Sequence, residues 1–183
     1  MSYFNILSFD PGNNLGVCVM SIDVETLNII NIETRTVVLD TYVSNLLQDR
    51  SLHKLNFLHT VVNSLLDGYN PVAVGMETAF LNVRFPKAVT TLSQLTGVID
   101  LAVLQYNPFI KMFKFAPKYI KAMASGKGTS DKDGMLAAAN DNLEIKNLID
   151  PNMLTEHEVD AIMIGYTALL EIRKYPMTLC LVP

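Results

Sequence analysis

Three carboxylates sit where carboxylates are costly. Asp10 closes the apolar run Tyr3-Phe4-Asn5-Ile6-Leu7-Ser8-Phe9 and opens the turn Asp10-Pro11-Gly12-Asn13-Asn14-Leu15-Gly16. Glu77 ends Pro71-Val72-Ala73-Val74-Gly75-Met76 in the same way, and Asp160 lies inside Val159-Asp160-Ala161-Ile162-Met163-Ile164-Gly165. A carboxylate in apolar surroundings is paired, hydrogen-bonded or bound to a metal. Three of them on three separate elements point to one acidic site for hard divalent cations, the equipment of a Mg²⁺-dependent phosphodiesterase.

Each residue also has a plainer reading. Asp-Pro-Gly is ordinary turn chemistry, and Glu77 can end a strand facing water. Phe80, three residues beyond Glu77, is either core or a ring beside the site that stacks on a splayed base, a contact of about 1–3 kcal/mol. In Thr155-Glu156-His157-Glu158-Val159-Asp160, Thr155 and Glu158 match a capping box, which gives Glu158 a structural job. His157 and Asp160 are spaced i, i+3 and share a helix face, so His157 is a candidate metal ligand or proton carrier. The stretch Ser125-Gly126-Lys127-Gly128-Thr129-Ser130-Asp131-Lys132 lacks the Gly-x-x-x-x-Gly-Lys-Ser/Thr phosphate loop. It reads as a hinge before a helix whose N-terminus, with Lys127 and Lys132, suits phosphate, or as a plain surface loop.

The elements that must position these residues follow from hydrophobic period. Residues 3–10, 15–23 and 27–38 read as strands, the last two joined as a hairpin near residue 25. Residues 43–67 show helical spacing, with Gly68 as the expected stop. A buried strand over 71–77, a helix over 86–106 and a strand over 109–115 follow. Pro117 starts a short helix to about Ala124, and 131–142 and 155–173 read as further helices. Three strands, then helix-linked strands, predict an α/β fold: a mixed five-stranded sheet flanked by helices on both faces, in the order of the ribonuclease H-like fold. Asp10 and Glu77 then end neighbouring central strands, where open α/β sheets gather their sites.

Composition sets the class. The 183 residues, half of them hydrophobic, fit one domain over 1–183. No apolar run approaches the roughly 20 residues of a membrane span, and no leader peptide is evident. Cys18 and Cys180 lack metal-ligand spacing and read as free thiols. A cytoplasmic protein is expected, at the nucleoid or in a host cell if the source is viral. The net charge of −4 is unevenly spread: from Arg84 to Lys132 there are eight bases and two acids, against six bases and 16 acids elsewhere. A basic face against phosphates and a scatter of solvated lysines are both open.

In order and spacing these pieces resemble the RuvC-type Holliday junction resolvases, nucleases of the ribonuclease H-like superfamily. The resemblance runs from about Asn5 to Ile172. It is carried by Ile6 to Gly16, Met76-Glu77-Thr78-Ala79-Phe80, Leu95-Thr96-Gly97-Val98, Ala116-Pro117-Lys118-Tyr119-Ile120-Lys121, Gly126 to Lys132 and His157-Glu158-Val159-Asp160-Ala161. It implies that Asp10, Glu77 and Asp160 are metal-binding catalytic acids and that the fourth ligand position falls on His157, where many members have Asp. It further implies Lys132 and Lys121 near the scissile phosphate and Phe80 on a base; Lys127, in the loop before the helix, is the further DNA-binding candidate. Two Mg²⁺ ions per site (Mn²⁺ as substitute) and a homodimer cutting branched DNA symmetrically belong to the same implication. The products would be nicks with 5′-phosphate and 3′-hydroxyl ends, in DNA recombination, DNA repair or viral genome processing. Rival readings are a nuclease of this fold acting on RNA or on flapped or branched DNA, and a non-catalytic junction-binding protein.

Overall fold

The structure, a computed structural model, describes residues 2–42, 49–78, 86–126, 128 and 132–176. Strands β1 (Tyr3–Asp10), β2 (Asn14–Asp23), β3 (Ile29–Val38), β4 (Ala73–Glu77) and β5 (Lys111–Phe115) form one sheet in the order β3-β2-β1-β4-β5. The first three pair antiparallel, and β1–β4 and β4–β5 pair parallel. This is the expected mixed ribonuclease H-like sheet. The hairpin between β2 and β3 is held by Asp23, whose Oδ1 accepts from the backbone N–H of Glu25 and Thr26 and from the Thr26 hydroxyl.

Alternation along each strand sorts side chains onto two faces. Leu7, Phe9, Val17, Val19, Val74 and Met76 point to one side, where α1 (Arg50–Tyr69) and α2 (Pro86–Tyr106) cover them. Phe4, Ile6, Cys18, Met20 and Ala73 point to the other, under α6 (Glu156–Lys174), with α3 (Pro117–Ser125), α4 (Lys132–Asp141) and α5 (Leu143–Lys146) beside it. Ser8 and Asp10 share the parity of Ile6, and Gly75 and Glu77 that of Ala73. Both strand-end acids therefore face α6.

Close approach of α6 to the sheet depends on missing side chains. A Cβ on Gly16 would lie 2.0 Å from the His157 carbonyl oxygen, and one on Gly75 3.2 Å from the Ile164 side chain. On the helix itself, a Cβ on Gly165 would lie 2.7 Å from Ser8 Oγ. Fully buried Ser8 donates its hydroxyl to the Ala161 carbonyl at 2.7 Å, tying β1 to the helix beside Asp160.

Several boundaries differ from expectation. Gly68 does not stop α1: the helix runs on to Tyr69, and Asn70, in the left-handed region at φ 43°, caps it by donating its N–H to Leu66. Asparagine tolerates that conformation, so the stop lies two residues later. The expected start of this helix, at residue 43, falls outside the described residues; before it, Leu39–Tyr42 forms a 3-10 turn. Strands β4 and β5 begin two residues later than read from sequence, and α5 and a 3-10 turn at Pro151–Met153 were unforeseen. The latter are capped by Asn142 and Asp150 side chains rather than marked by any hydrophobic period. Cys18 is a free buried thiol, its pKa pushed up to about 12 by desolvation; Cys180 lies outside the described residues. Among the described residues no helix is long and apolar enough to cross a membrane.

Candidate active site

The β1–β4 ladder brings two of the acids side by side. The last pair in its register is Phe9↔Met76, and one residue further on stand Asp10 and Glu77. Neighbouring strands lie about 4.8 Å apart. The third acid comes from above, on the first turns of α6. That helix begins with the capping box read from sequence: Thr155 Oγ1 accepts from the Glu158 N–H and Glu158 Oε2 from the Thr155 N–H. Capping fixes the turn carrying His157 and Asp160, and Glu158 is spent on it.

His157 reaches back across the gap. Its Nδ1 lies 3.0 Å from Asp10 Oδ2, and its Nε2 faces Asn14 Nδ2 at 3.5 Å. Both partners are half-buried, with side-chain exposures of 26% for His157 and 18% for Asp10.

The electrostatics couple the group. Desolvation raises the Asp10 pKa above the ordinary carboxylate value, and the hydrogen bond and charge of His157 pull against it. Glu77 is pushed up to about 7, first by burial and then by the charges of Asp10 and Asp160, with Lys121 opposing. Asp160 is pushed up to about 6 by burial and Asp10, opposed by His157 and Lys121. Among the described residues no three Asp, Glu, His or Cys side chains are grouped closely enough to form a finished ligand set. The chemistry of the set, carboxylate oxygens with one imidazole and a surplus of negative charge, fits a hard divalent cation such as Mg²⁺ or Mn²⁺.

The family model described as crossover junction endodeoxyribonuclease RuvC matches residues 6–167, from the start of β1's buried run to the middle of α6. The chain belongs to this family. A RuvC from Dictyoglomus thermophilum is 28% identical over 148 residues, which cover 80% of this chain and 87% of that one. A RuvC from Rickettsia conorii is 30% identical over 127 residues, 67% and 74% of the two chains. Among solved structures, Thermus thermophilus RuvC in complex with Holliday junction substrate superposes with a TM-score of 0.71, covering 93% of this chain and 96% of that chain. At 18% identity that likeness speaks to the fold.

Around this RuvC-family site the basic residues are unevenly placed. Lys121, on α3, acts electrostatically on both Glu77 and Asp160. Lys132, at the start of α4, is paired with the Glu156 carboxylate, and its positive form is favoured first by that hydrogen bond and then by charge, Asp160 included. Lys114 is not part of the acid cluster: it faces α2 and pairs with Asp100 at 2.6 Å. Phe80, Arg84 and Lys127 lie outside the described residues.

Three roles escaped the sequence reading. Ser8 was legible as a lone hydroxyl in an apolar strand. Gly16 was noted as part of the turn motif, but its contact with the His157 carbonyl needs the fold. Glu156, whose Oε1 lies 3.7 Å from His157 Nε2 while Oε2 holds Lys132, carries no signal in one dimension.

Proposed function

We propose that this chain is a structure-selective DNA endonuclease that resolves four-way junctions, acting in the cytoplasm as a single nuclease domain and a homodimer. The observation that carries the reading is the placement of Asp10 and Glu77 at neighbouring strand ends under the start of α6, the helix that carries Asp160 and whose His157 Nδ1 lies 3.0 Å from Asp10 Oδ2. The charges of Asp10 and Asp160 raise the Glu77 pKa, and that of Asp10 raises Asp160.

Asp10, Glu77, Asp160 and His157 would hold Mg²⁺, or Mn²⁺ in its place; a pair of such ions supplies a nucleophilic water and neutralises the leaving oxygen. The protein's own contributions are positional. The Asp10 carboxylate orients the His157 ring through Nδ1, which leaves Nε2 directed at the Asn14 amide with Glu156 Oε1 3.7 Å away. Lys121 and Lys132 set positive charge against the phosphate, where charge grows in the transition state. Phe80 is assigned to DNA by the family resemblance, and Lys127 by its place in the basic loop before α4.

The homodimer is supported by α2, where Leu101 and Leu104, 49% and 60% exposed, share one outer helix face. A two-fold pairing of such faces would present two sites to a four-way junction, one for each of two strands.

The test is incubation with a synthetic four-way junction, a linear duplex, a flap and an RNA–DNA hybrid, with and without Mg²⁺. Paired, Mg²⁺-dependent nicks in the junction are expected. Faster cutting of hybrid or flap would move the substrate class, and binding without cutting under any divalent ion would return the chain to a non-catalytic role.

A further inference from the structure

The sheet ends on one side in β5, which has no further strand partner among the described residues. Its alternate residues Lys111, Phe113 and Phe115 pair across to Ala73, Gly75 and Glu77 and so face the α6 side. The rings continue into a stack: Phe113 and Phe115 lie 5.9 Å apart at 15°, and Phe115 and Tyr119 5.6 Å apart at 19°. With Tyr175 at the end of α6 they line an open groove of about 540 Å³. Two of its rings carry a lysine: Lys111 Nζ, in the lining, lies 5.6 Å from Phe113, and Lys174 Nζ lies 5.1 Å from Tyr175. Glu171, the acid in the groove, accepts the Tyr119 hydroxyl at 2.5 Å and steadies that ring.

Phe115 forms the floor, 7% exposed, while Tyr119 and Tyr175 are 39% and 53% exposed. Lysines alternating with aromatic faces match a phosphate backbone whose bases are unstacked. A duplex buries its base faces and cannot use such rings. A peptide added to the β5 edge would bond through its backbone and would have no call on two lysines over rings. The groove also adjoins the acid site: Phe115, in its lining, is the register partner of Glu77.

We propose that the groove along the β5 edge holds a single-stranded segment of branched DNA, its bases stacked on Tyr175 and Tyr119 and its phosphates against Lys111 and Lys174. This rests on the nuclease reading above and adds a second, strand-selective contact to it.

The experiment titrates the protein with a blunt four-way junction, the same junction carrying a single-stranded oligothymidine tail, and oligothymidine alone, and follows cutting of the blunt junction. Wild type binds the tailed junction more tightly. Tyr175→Ala loses about fivefold or more of tailed-junction affinity, with blunt-junction affinity and cutting unchanged. The chain has no tryptophan, so Tyr175→Trp installs a sole indole in the groove, and oligothymidine quenches its emission. A tail that adds no affinity in wild type, or an indole blind to oligothymidine, overturns the proposal. An indole whose emission shifts with protein concentration alone would give the groove to a second copy of the chain and overturn it too. Failure of wild type to cut any junction, with quenching intact, would count against the nuclease reading and in favour of a strand-binding groove.

Discussion

Asp10 and His157 are 147 residues apart, yet Asp10 Oδ2 lies 3.0 Å from His157 Nδ1, and this contact joins the end of the central strand to the start of the last helix. With the carboxylate on Nδ1, the ring is held in one orientation and its Nε2 faces Asn14 and Glu156. His157→Ala should therefore weaken divalent-ion affinity and slow cutting together, by about 10–100-fold. His157→Asp restores an oxygen donor and should recover much of the activity in Mn²⁺. Equal rates for wild type and His157→Ala at limiting Mn²⁺ would return the histidine to a packing role.

The three acids should be individually indispensable. Asp10→Asn, Glu77→Gln and Asp160→Asn each keep the shape and remove a charge, so each should cut a four-way junction about 100-fold or more slowly. Junction affinity, measured by anisotropy in Ca²⁺, should stay within a few-fold of wild type. Any one of them cutting at wild-type rate would break up the proposed site.

Charge crowding also predicts a pH signature in divalent-free buffer. Burial and neighbouring acids raise Glu77 from the ordinary 4.5 to about 7 and Asp160 from 3.8 to about 6. The folded chain thus holds these protons more tightly than the open chain. Their stabilising contribution is complete below the unfolded values and is lost as pH rises through 6 to 7. The thermal midpoint should fall between pH 5 and pH 8, and fall less in Glu77→Gln. Mg²⁺ should raise the wild-type midpoint at pH 8 by mass action and do little for the variant. A midpoint in Glu77→Gln that tracks wild type across this range would contradict the charge coupling.

Gly16→Ala tests how the helix is seated. Its methyl carbon would fall 2.0 Å from the His157 carbonyl oxygen, so α6 must lift at its catalytic end. The expected cost is about 1–3 kcal/mol, or about 2–4 °C of midpoint per kcal/mol for a chain of this size. Cutting should fall further than the stability loss explains, because His157 and Asp160 move with the helix. A Gly16→Ala protein with normal midpoint and rate would mean that α6 does not sit this close.

Lysines should separate by partner. Lys121, coupled to Glu77 and Asp160, should lower the slope of log affinity against log salt by about 0.9 on replacement with alanine if it meets a phosphate. Lys114, already matched by Asp100 on the α2 face, should change the slope little. The reverse ranking would put the DNA on the other side of the sheet.

Much of this protein is legible in one dimension. Strand alternation in Ile6–Phe9 and Val74–Met76, the capping box at Thr155 and Glu158, and the isolation of Asp10, Glu77 and Asp160 among apolar residues are all local patterns, because secondary structure and burial follow local period. The sheet order follows from the order of strands and helices, since few connections between them are physically allowed. Other features depend on contacts between distant segments. That α1 passes Gly68 and ends at Asn70 is decided by burial of Leu65 and Leu66 against the sheet and by an asparagine that accepts the left-handed turn. That His157 bonds Asp10, that Gly16 admits the His157 carbonyl, that Lys132 belongs to Glu156 and Lys114 to Asp100, and that Phe115 stands beside Glu77 are matters of register and helix seating. Such pairings depend on where separate elements come to rest against one another, and a linear pattern holds no record of distance between residues that only folding brings together.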